Sequence, residues 1–186
     1  MKRLFDVFVS LSMLILLSPV IILVGLLVKI TSPGPVLYSS NRVGFNNRIF
    51  SMPKFRTMKV NTPTVATHLL ANPEVYLTSI GSLLRKTSLD ELPQLWSVFI
   101  GEMSLVGPRP ALFSQVDLID ARTKVQVHLL LPGITGWAQI NGRDNLSIDQ
   151  KVELDRQYLQ QKSLWFDLKI MLLTVVRVFR RDDVSH

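Results

Sequence analysis

No cysteine occurs among the 186 residues. A disulfide framework, a thiolate metal site and a cysteine nucleophile are therefore excluded. Histidine is scarce as well: His68, His128 and His186 are the only three, and none neighbours another, which argues against a zinc site. Charge is thin. Asp, Glu, Lys and Arg make up 19 % of the chain, below the roughly 25 % usual in soluble domains, while 47 % is hydrophobic. A chain this apolar is not intrinsically disordered. With one long apolar run and one further apolar helix, it is not a polytopic transporter either. The charge that is present is one-sided, with a net +7. A basic, apolar chain of this length points to one domain with a membrane appendage. Its partners would be a membrane surface, a nucleic acid or a phosphorylated substrate.

Val7 to Val28 is a run of 22 residues without a charge, 17 of them apolar. As a continuous helix it would cover the ~30 Å hydrocarbon core. Ser18-Pro19 interrupts its centre, and proline removes a backbone donor and crowds the carbonyl four residues back. Both flanks are basic, with Lys2 and Arg3 before the run and Lys29 after it. Basic flanks mark the cytoplasmic face. Two arrangements fit: a helix that enters one leaflet, bends at Ser18-Pro19 and leaves by the same face, or a kinked helix that spans. In the first, the Ser18 hydroxyl would satisfy a carbonyl freed by the proline.

Beyond Lys29 the pattern is α+β and mainly helical. Two domains are expected: residues 1–30 as the membrane helix and 31–186 as a catalytic domain. Val36 to Ser40 and Arg48 to Ser51 flank Gly44-Phe45-Asn46-Asn47 and read as a β-hairpin. Helices are expected over Glu74–Lys86, Ser88–Ile100, Ala111–Leu130, Ser147–Lys162 and Leu164–Arg181. Val106–Pro110 and Pro132–Gly136 read as loop and turn, and Lys59–Pro73 as a variable segment. The last helix is apolar with interspersed cations. It fits an interfacial position among anionic headgroups or a place in the core. Trp96, Trp137 and Trp165 divide between the same two readings.

Arg85-Lys86-Thr87-Ser88-Leu89-Asp90-Glu91 carries the most chemistry. Ser88 and Glu91 have the spacing of a capping box, which would place Asp90 in the first turn of a helix and keep it ionised. Adjacent carboxylates, nearby cations and a helix start together can hold Mg2+ and a diphosphate, and an ionised Asp can attack phosphorus. The same pattern also serves as a plain helix start. Val106-Gly107-Pro108-Arg109-Pro110 projects Arg109 from a stiff loop, where a clamp on phosphate is useful. Lys54, Arg56 and Arg143 add cations on further Pro/Gly-rich segments.

SLDELPQLW, GEMSLVGPRP, PGITGWAQINGR and the leading KRLFDVFVSL…SP together resemble the bacterial sugar transferases, the monotopic polyprenyl-phosphate phosphoglycosyl transferases, in their minimal form. The resemblance runs from Lys2 to about Val184. It implies that Asp90 and Glu91 are the catalytic dyad, with Asp90 the nucleophile toward the sugar-linked phosphate of a UDP-sugar. UMP would leave, and polyprenyl (undecaprenyl) phosphate would take the phosphosugar from the aspartate. That is the first membrane step of bacterial glycan assembly, on the cytoplasmic face of the inner membrane. Mg2+ would bind Asp90 with Glu91 close by. Arg85 and Arg109 match phosphate-contacting positions; Lys54, Arg56 and Arg143 are weaker matches. The resemblance favours the re-entrant helix. Met52-Pro53 departs from the family's usual residues before Lys54. Membrane lipids are expected partners and nucleic acid is not; a homo-oligomer is compatible. The competing reading is a non-catalytic, membrane-anchored adaptor with a basic face. It accounts for the charge and the apolar run but not for Asp90-Glu91 beside Arg85.

Overall fold

The computed structural model describes residues 1–63, 72–142 and 145–180. Two helices open the chain, α1 (Lys2–Leu16) and α2 (Ser18–Thr31), inclined by 62° to each other. The bend follows from Pro19, whose ring meets the carbonyl of Ile15 one turn back. Ser18 Oγ donates to that same carbonyl at 2.8 Å, so the group displaced by the proline stays paired. Among the described residues no single helix is long and apolar enough to cross a membrane, although the bent pair together has the length and composition. Its outer surface is apolar, with Leu4, Phe8, Ile15 and Leu16 of α1 and Ile22, Leu23, Leu26 and Ile30 of α2 exposed.

The inner face of α1 is polar and docked. Asp6 and Ser10 are fully buried. The Asp6 carboxylate accepts from Ser104 Oγ at 2.8 Å and from the Leu105 amide at 3.4 Å. Lys2 Nζ lies 2.5 Å from Asp167 Oδ2. Arg3 donates to the carbonyls of Val98 and Phe99, at 2.6 and 2.7 Å. Lys2 and Arg3, the basic flank before the apolar run, fasten α1 to the globule. Lys29 is exposed.

The hairpin is longer than the pattern suggested: β1 (Leu37–Val43) pairs antiparallel with β2 (Ile49–Phe55), Tyr38 opposite Lys54 and Arg42 opposite Phe50. Two short helices follow, α3 (Gly81–Lys86) and α4 (Gln94–Ile100), and then β3 (Ser104–Val106). The helix expected over Ala111–Leu130 divides. Ala111–Leu112 form β4 on the free edge of β1, and only Val116–Lys124 is helical (α5). The expected turn at Pro132–Gly136 contains β5 (Gly133–Thr135), which pairs parallel with β3. A Cβ on Gly133 would lie 2.1 Å from the Gly107 amide nitrogen, and one on Gly136 would lie 2.1 Å from the Gly107 carbonyl oxygen. Those backbones can meet only because both residues are glycine. The chain closes with α6 (Trp137–Ile140), α7 (Ile148–Gln161) and α8 (Leu164–Arg180).

The core joins Met52 of β2, Leu95 and Val98 of α4, Met103, Leu105 and Val106 around β3, Tyr158 of α7 and Phe166 and Ile170 of α8. Phe5 and Val9 of α1 pack against it. A second cluster holds Val24 and Val28 of α2 against Phe55 and Leu84. Helix α8 is buried along one face and exposed along the other. Phe166, Asp167 and Ile170 are buried, while Trp165, Leu168, Leu172 and Val175 form an exposed apolar face. Trp137 packs against Phe166 with ring centroids 5.1 Å apart, whereas Trp96 and Trp165 are exposed.

Candidate active site

The segment Ser88–Ile100 was expected to be one helix opened by a capping box at Ser88. It is not. Proline at 93 has no amide to bond Leu89 and would clash with its carbonyl, so a helix cannot run through it. The chain instead enters a 3-10 turn over Leu89–Glu91 from Ser88, a non-glycine residue at φ 55°, with no side-chain cap. Helix α4 starts only after Pro93. Asp90 and Glu91 therefore sit on a tight turn, not in the first turn of a helix. Helix polarity is not what acts on them.

What acts on them is a set of cations. Lys54, near the end of β2, donates to Glu91 Oε1 at 2.6 Å. Arg109 NH2 approaches the same oxygen at 3.4 Å. Arg85, on α3, is held by a bond from its Nε to Thr57 Oγ1 at 3.0 Å, and its charge acts on Asp90. The two carboxylates are thus differently placed. Glu91 is bound by cations. Asp90 is buried to 7 % exposure, and no described residue donates a hydrogen bond to it. Burial pushes the Asp90 carboxyl above the usual carboxylate range; Lys54, Arg85 and Arg109 oppose this without overcoming it, and Glu91 adds to it. The expectation of an Asp90 kept readily ionised by a helix start is corrected accordingly. Burial also lowers Lys54 and Arg85, with Glu91 supporting the first and Asp90 the second.

The loop that carries Arg109 is held at every residue. Gly107 N donates to Thr135 O at 2.9 Å, and Gly133 N donates to Pro108 O at 2.9 Å. Arg122 NH1 donates to Arg109 O at 2.8 Å, and Arg42 NH1 to Pro110 O at 3.3 Å. Arg122 is itself fixed by Asp155, at 2.9 and 2.7 Å from Oδ2. Burial raises Asp155, and Arg122 opposes that. Neither Arg122 nor Arg42 stood out in the sequence, where each is one arginine in an ordinary strand or helix pattern. For Arg42 the available signal was its place at alternate spacing from Tyr38, which puts both on one strand face.

Of the residues picked from sequence, the structure brings together Asp90, Glu91, Lys54, Arg85 and Arg109. Arg56 does not join them. It is 4 % exposed and donates to the carbonyls of Ser32 and Pro33, at 2.8 and 2.7 Å, bracing the turn after α2. Its assignment to a substrate phosphate is corrected to this structural role. Arg143 lies outside the described residues, as does most of the variable segment, residues 64–71.

Chemically, an unbonded carboxylate among three cations suits nucleophilic attack on a phosphate whose charge those cations accept. A divalent ion also fits the donor set. Mg2+ is commonly held by one or two carboxylates plus substrate phosphates, and Asp90 has its oxygens uncommitted among the described residues. No group of three or more metal-ligating side chains exists among the described residues.

The chain is 42 % identical to the undecaprenyl-phosphate glucose phosphotransferase of Komagataeibacter xylinus, over 97 % of this chain and 36 % of that protein. It is 41 % identical to the UDP-glucose:undecaprenyl-phosphate glucose-1-phosphate transferase of Escherichia coli, over 96 % of this chain and 40 % of that one. It is 42 % identical to the uncharacterized sugar transferase EpsL of Bacillus subtilis, over 100 % of this chain and 91 % of that one. The chain thus spans well under half the length of the first two relatives and nearly the whole of the third. Residues 1–181 match the bacterial sugar transferase family, and with that coverage the chain belongs to it.

Proposed function

We propose that this chain transfers a sugar-1-phosphate from a UDP-sugar to polyprenyl phosphate through a covalent phosphosugar on Asp90. The observation that carries the reading is the contrast between the two carboxylates: Glu91 is committed to Lys54 and Arg109, while Asp90 is buried, accepts no hydrogen bond among the described residues and feels the charges of Lys54, Arg85 and Arg109. In the first step an Asp90 oxygen forms a bond to the sugar-linked phosphorus. The bond from that phosphorus to the bridging oxygen breaks, and UMP leaves with the electron pair. In the second, a phosphate oxygen of the polyprenyl acceptor attacks the same phosphorus. The acyl-phosphate bond breaks and the Asp90 carboxylate is restored. Lys54, Arg85 and Arg109 receive the phosphate charge, and Glu91 positions Lys54 and Arg109. Asp90, with Glu91 close by, would hold Mg2+, which would supply further charge neutralisation at the phosphates.

The bent α1–α2 pair is read as a re-entrant membrane insert with both ends on the cytoplasmic face of the bacterial inner membrane. Three features support this: the apolar outer surface of the pair, its polar docking to the globule at the N-terminal end, and the exposed apolar residues Trp96, Ile100, Trp165 and Leu172 on the globule. A site at headgroup height leaves the acceptor's tail in lipid; extracting it would cost about 0.8 kcal/mol per exposed CH2.

The test is to incubate the full chain with a panel of UDP-sugars, UDP-glucose first, without acceptor. Stoichiometric UMP release and a phosphosugar mass increment on the Asp90 peptide are expected, followed by full turnover when undecaprenyl phosphate is added. UMP release that strictly requires the acceptor would overturn the covalent intermediate. No UMP from any sugar under either condition would overturn the reading as a whole.

A further inference from the structure

Arg42 is a basic residue beside the site to which the reading above gives only the bracing of Pro110. On β1, alternate residues Tyr38, Ser40 and Arg42 share one face, the face on which Lys54, Met52 and Phe50 lie opposite them on β2. Lys54 is across from Tyr38, so Arg42 begins four residues further along, about 13 Å by strand geometry. Its side chain turns toward that end of the strand, because Nε donates to Ser40 Oγ, two residues back, at 3.1 Å. On its other side NH1 donates to the carbonyl of Pro110, the residue after Arg109. Arg42 has no ion pair among the described residues. Burial first, and then the neighbouring Arg109, hold its guanidinium down at about 10, with Tyr38 and Glu91 opposing.

The contacts also fall in an order. Arg42 NH1 holds the carbonyl of Pro110, the neighbouring Arg109 reaches Glu91 Oε1 at 3.4 Å, and Asp90 precedes Glu91 in the chain. Counted along these contacts from Asp90, Arg42 lies beyond Glu91 and Arg109. A displacement at phosphorus places the nucleophile and the leaving oxygen roughly in line on opposite sides. If Asp90 attacks the sugar-linked phosphorus, the leaving phosphate lies on the side away from Asp90.

We infer that Arg42, braced by Ser40, binds the nucleotide-side phosphate of the donor, the phosphate that departs as the nucleoside monophosphate. The inference rests on the transfer reaction proposed above. It adds a substrate-binding residue and assigns it to the first half-reaction only.

The experiment measures UMP binding by the full chain in detergent or nanodiscs, with uridine as a phosphate-free control. Adduct formation from the UDP-sugar that wild type uses is followed alongside. So is the chase of preformed adduct by undecaprenyl phosphate. Loss of a charge-assisted bond is worth about tenfold or more in affinity. Arg42→Gln is expected to weaken UMP by about that factor and to raise the donor KM, leaving uridine binding and the acceptor chase within about twofold. Ser40→Ala, which leaves the Pro110 contact in place, should weaken UMP in the same direction by a smaller factor. It decides the question if Arg42→Gln fails to fold. Unchanged UMP affinity in the folded variants would overturn the inference, and so would an equal loss in the acceptor chase, which would assign Arg42 to the acceptor phosphate. A wild-type chain that neither binds UMP nor forms adduct would instead overturn the transfer reading itself, so the two failures are distinguishable.

Discussion

Replacing Glu91 by glutamine keeps the shape of the side chain and removes its charge from Lys54. Both members of the pair are largely withdrawn from water, with side-chain exposures of 17 % for Lys54 and 12 % for Glu91 at a separation of 2.6 Å. Breaking a buried pair from one side costs about 3–5 kcal/mol, because the remaining charge is stranded. The residual solvent access at both groups reduces this to about 2–3 kcal/mol. For a chain of this length each kcal/mol moves the thermal midpoint by roughly 2–4 °C, so a fall of about 5–10 °C is expected. The sign of its pH dependence follows from Lys54. Burial already lowers that ammonium, and Glu91 is the largest influence holding it up. In Glu91→Gln it drops further. Between the lowered native value and the ordinary value near ~10.4, the unfolded chain binds more protons than the native one, so stability rises with pH across that window. The window is wider in the variant, and its deficit relative to wild type should shrink from pH 7 toward pH 9.5. Lys54→Met/Glu91→Gln, which removes both charges, should recover most of the lost midpoint while remaining inactive. Thermal melts of the four proteins at the two pH values form a double-mutant cycle. Additivity within about 0.5 kcal/mol, with a deficit that ignores pH, would refute the stranded-lysine argument.

Asp90→Asn should abolish adduct and turnover yet melt at or above the wild-type temperature near neutral pH. Burial raises the native Asp90, so its ionisation costs stability once the pH exceeds the unfolded value, and the amide removes that cost; the difference should vanish in acid, where Asp90 is protonated. Arg56→Gln should lower the melting temperature by several degrees, as two buried hydrogen bonds are lost, and leave the donor KM within about twofold; a large KM effect would return Arg56 to the phosphate site. Because the chain lacks cysteine, Lys2→Cys and Ser39→Cys can be labelled singly with an impermeant maleimide in sealed vesicles. Both should react from one face, and opposite faces would mean that the bent pair spans.

Much of this site was legible because the motifs that carry it are rigid by composition. Pro108 and Pro110 fix the backbone on either side of Arg109, and the glycines of PGITG let a neighbouring backbone approach it, so the loop's stiffness can be read before its contacts are seen. The error at Ser88 was of the opposite kind. Ser88…Glu91 and Ser147…Gln150 have the same capping spacing, yet only the second forms the reciprocal bonds, at 3.2 and 2.9 Å. The difference is Pro93, which denies the first segment a continuous helix. Long periodic elements such as α7 and α8 were found close to their ends. The three-residue strands β3 and β5 were not, since segments so short have no visible period and their pairing spans about 30 residues of intervening chain. Arg56 was misplaced for a different reason: sequence shows that a cation is present, but not whether a carbonyl turn has already claimed it.

The polar fastening of α1 also sets an order of events during synthesis. Asp6 leaves the ribosome 98 residues before Ser104, and Lys2 165 before Asp167. At about 5–20 residues per second, the Asp6 carboxylate waits some 5–20 s for its hydroxyl partner. Throughout that interval the apolar segment behind it already exists while the groups that neutralise its inner face do not. The polar inner face of α1 therefore stays unpaired until the globule is made, and its seat is completed by Asp167 of α8.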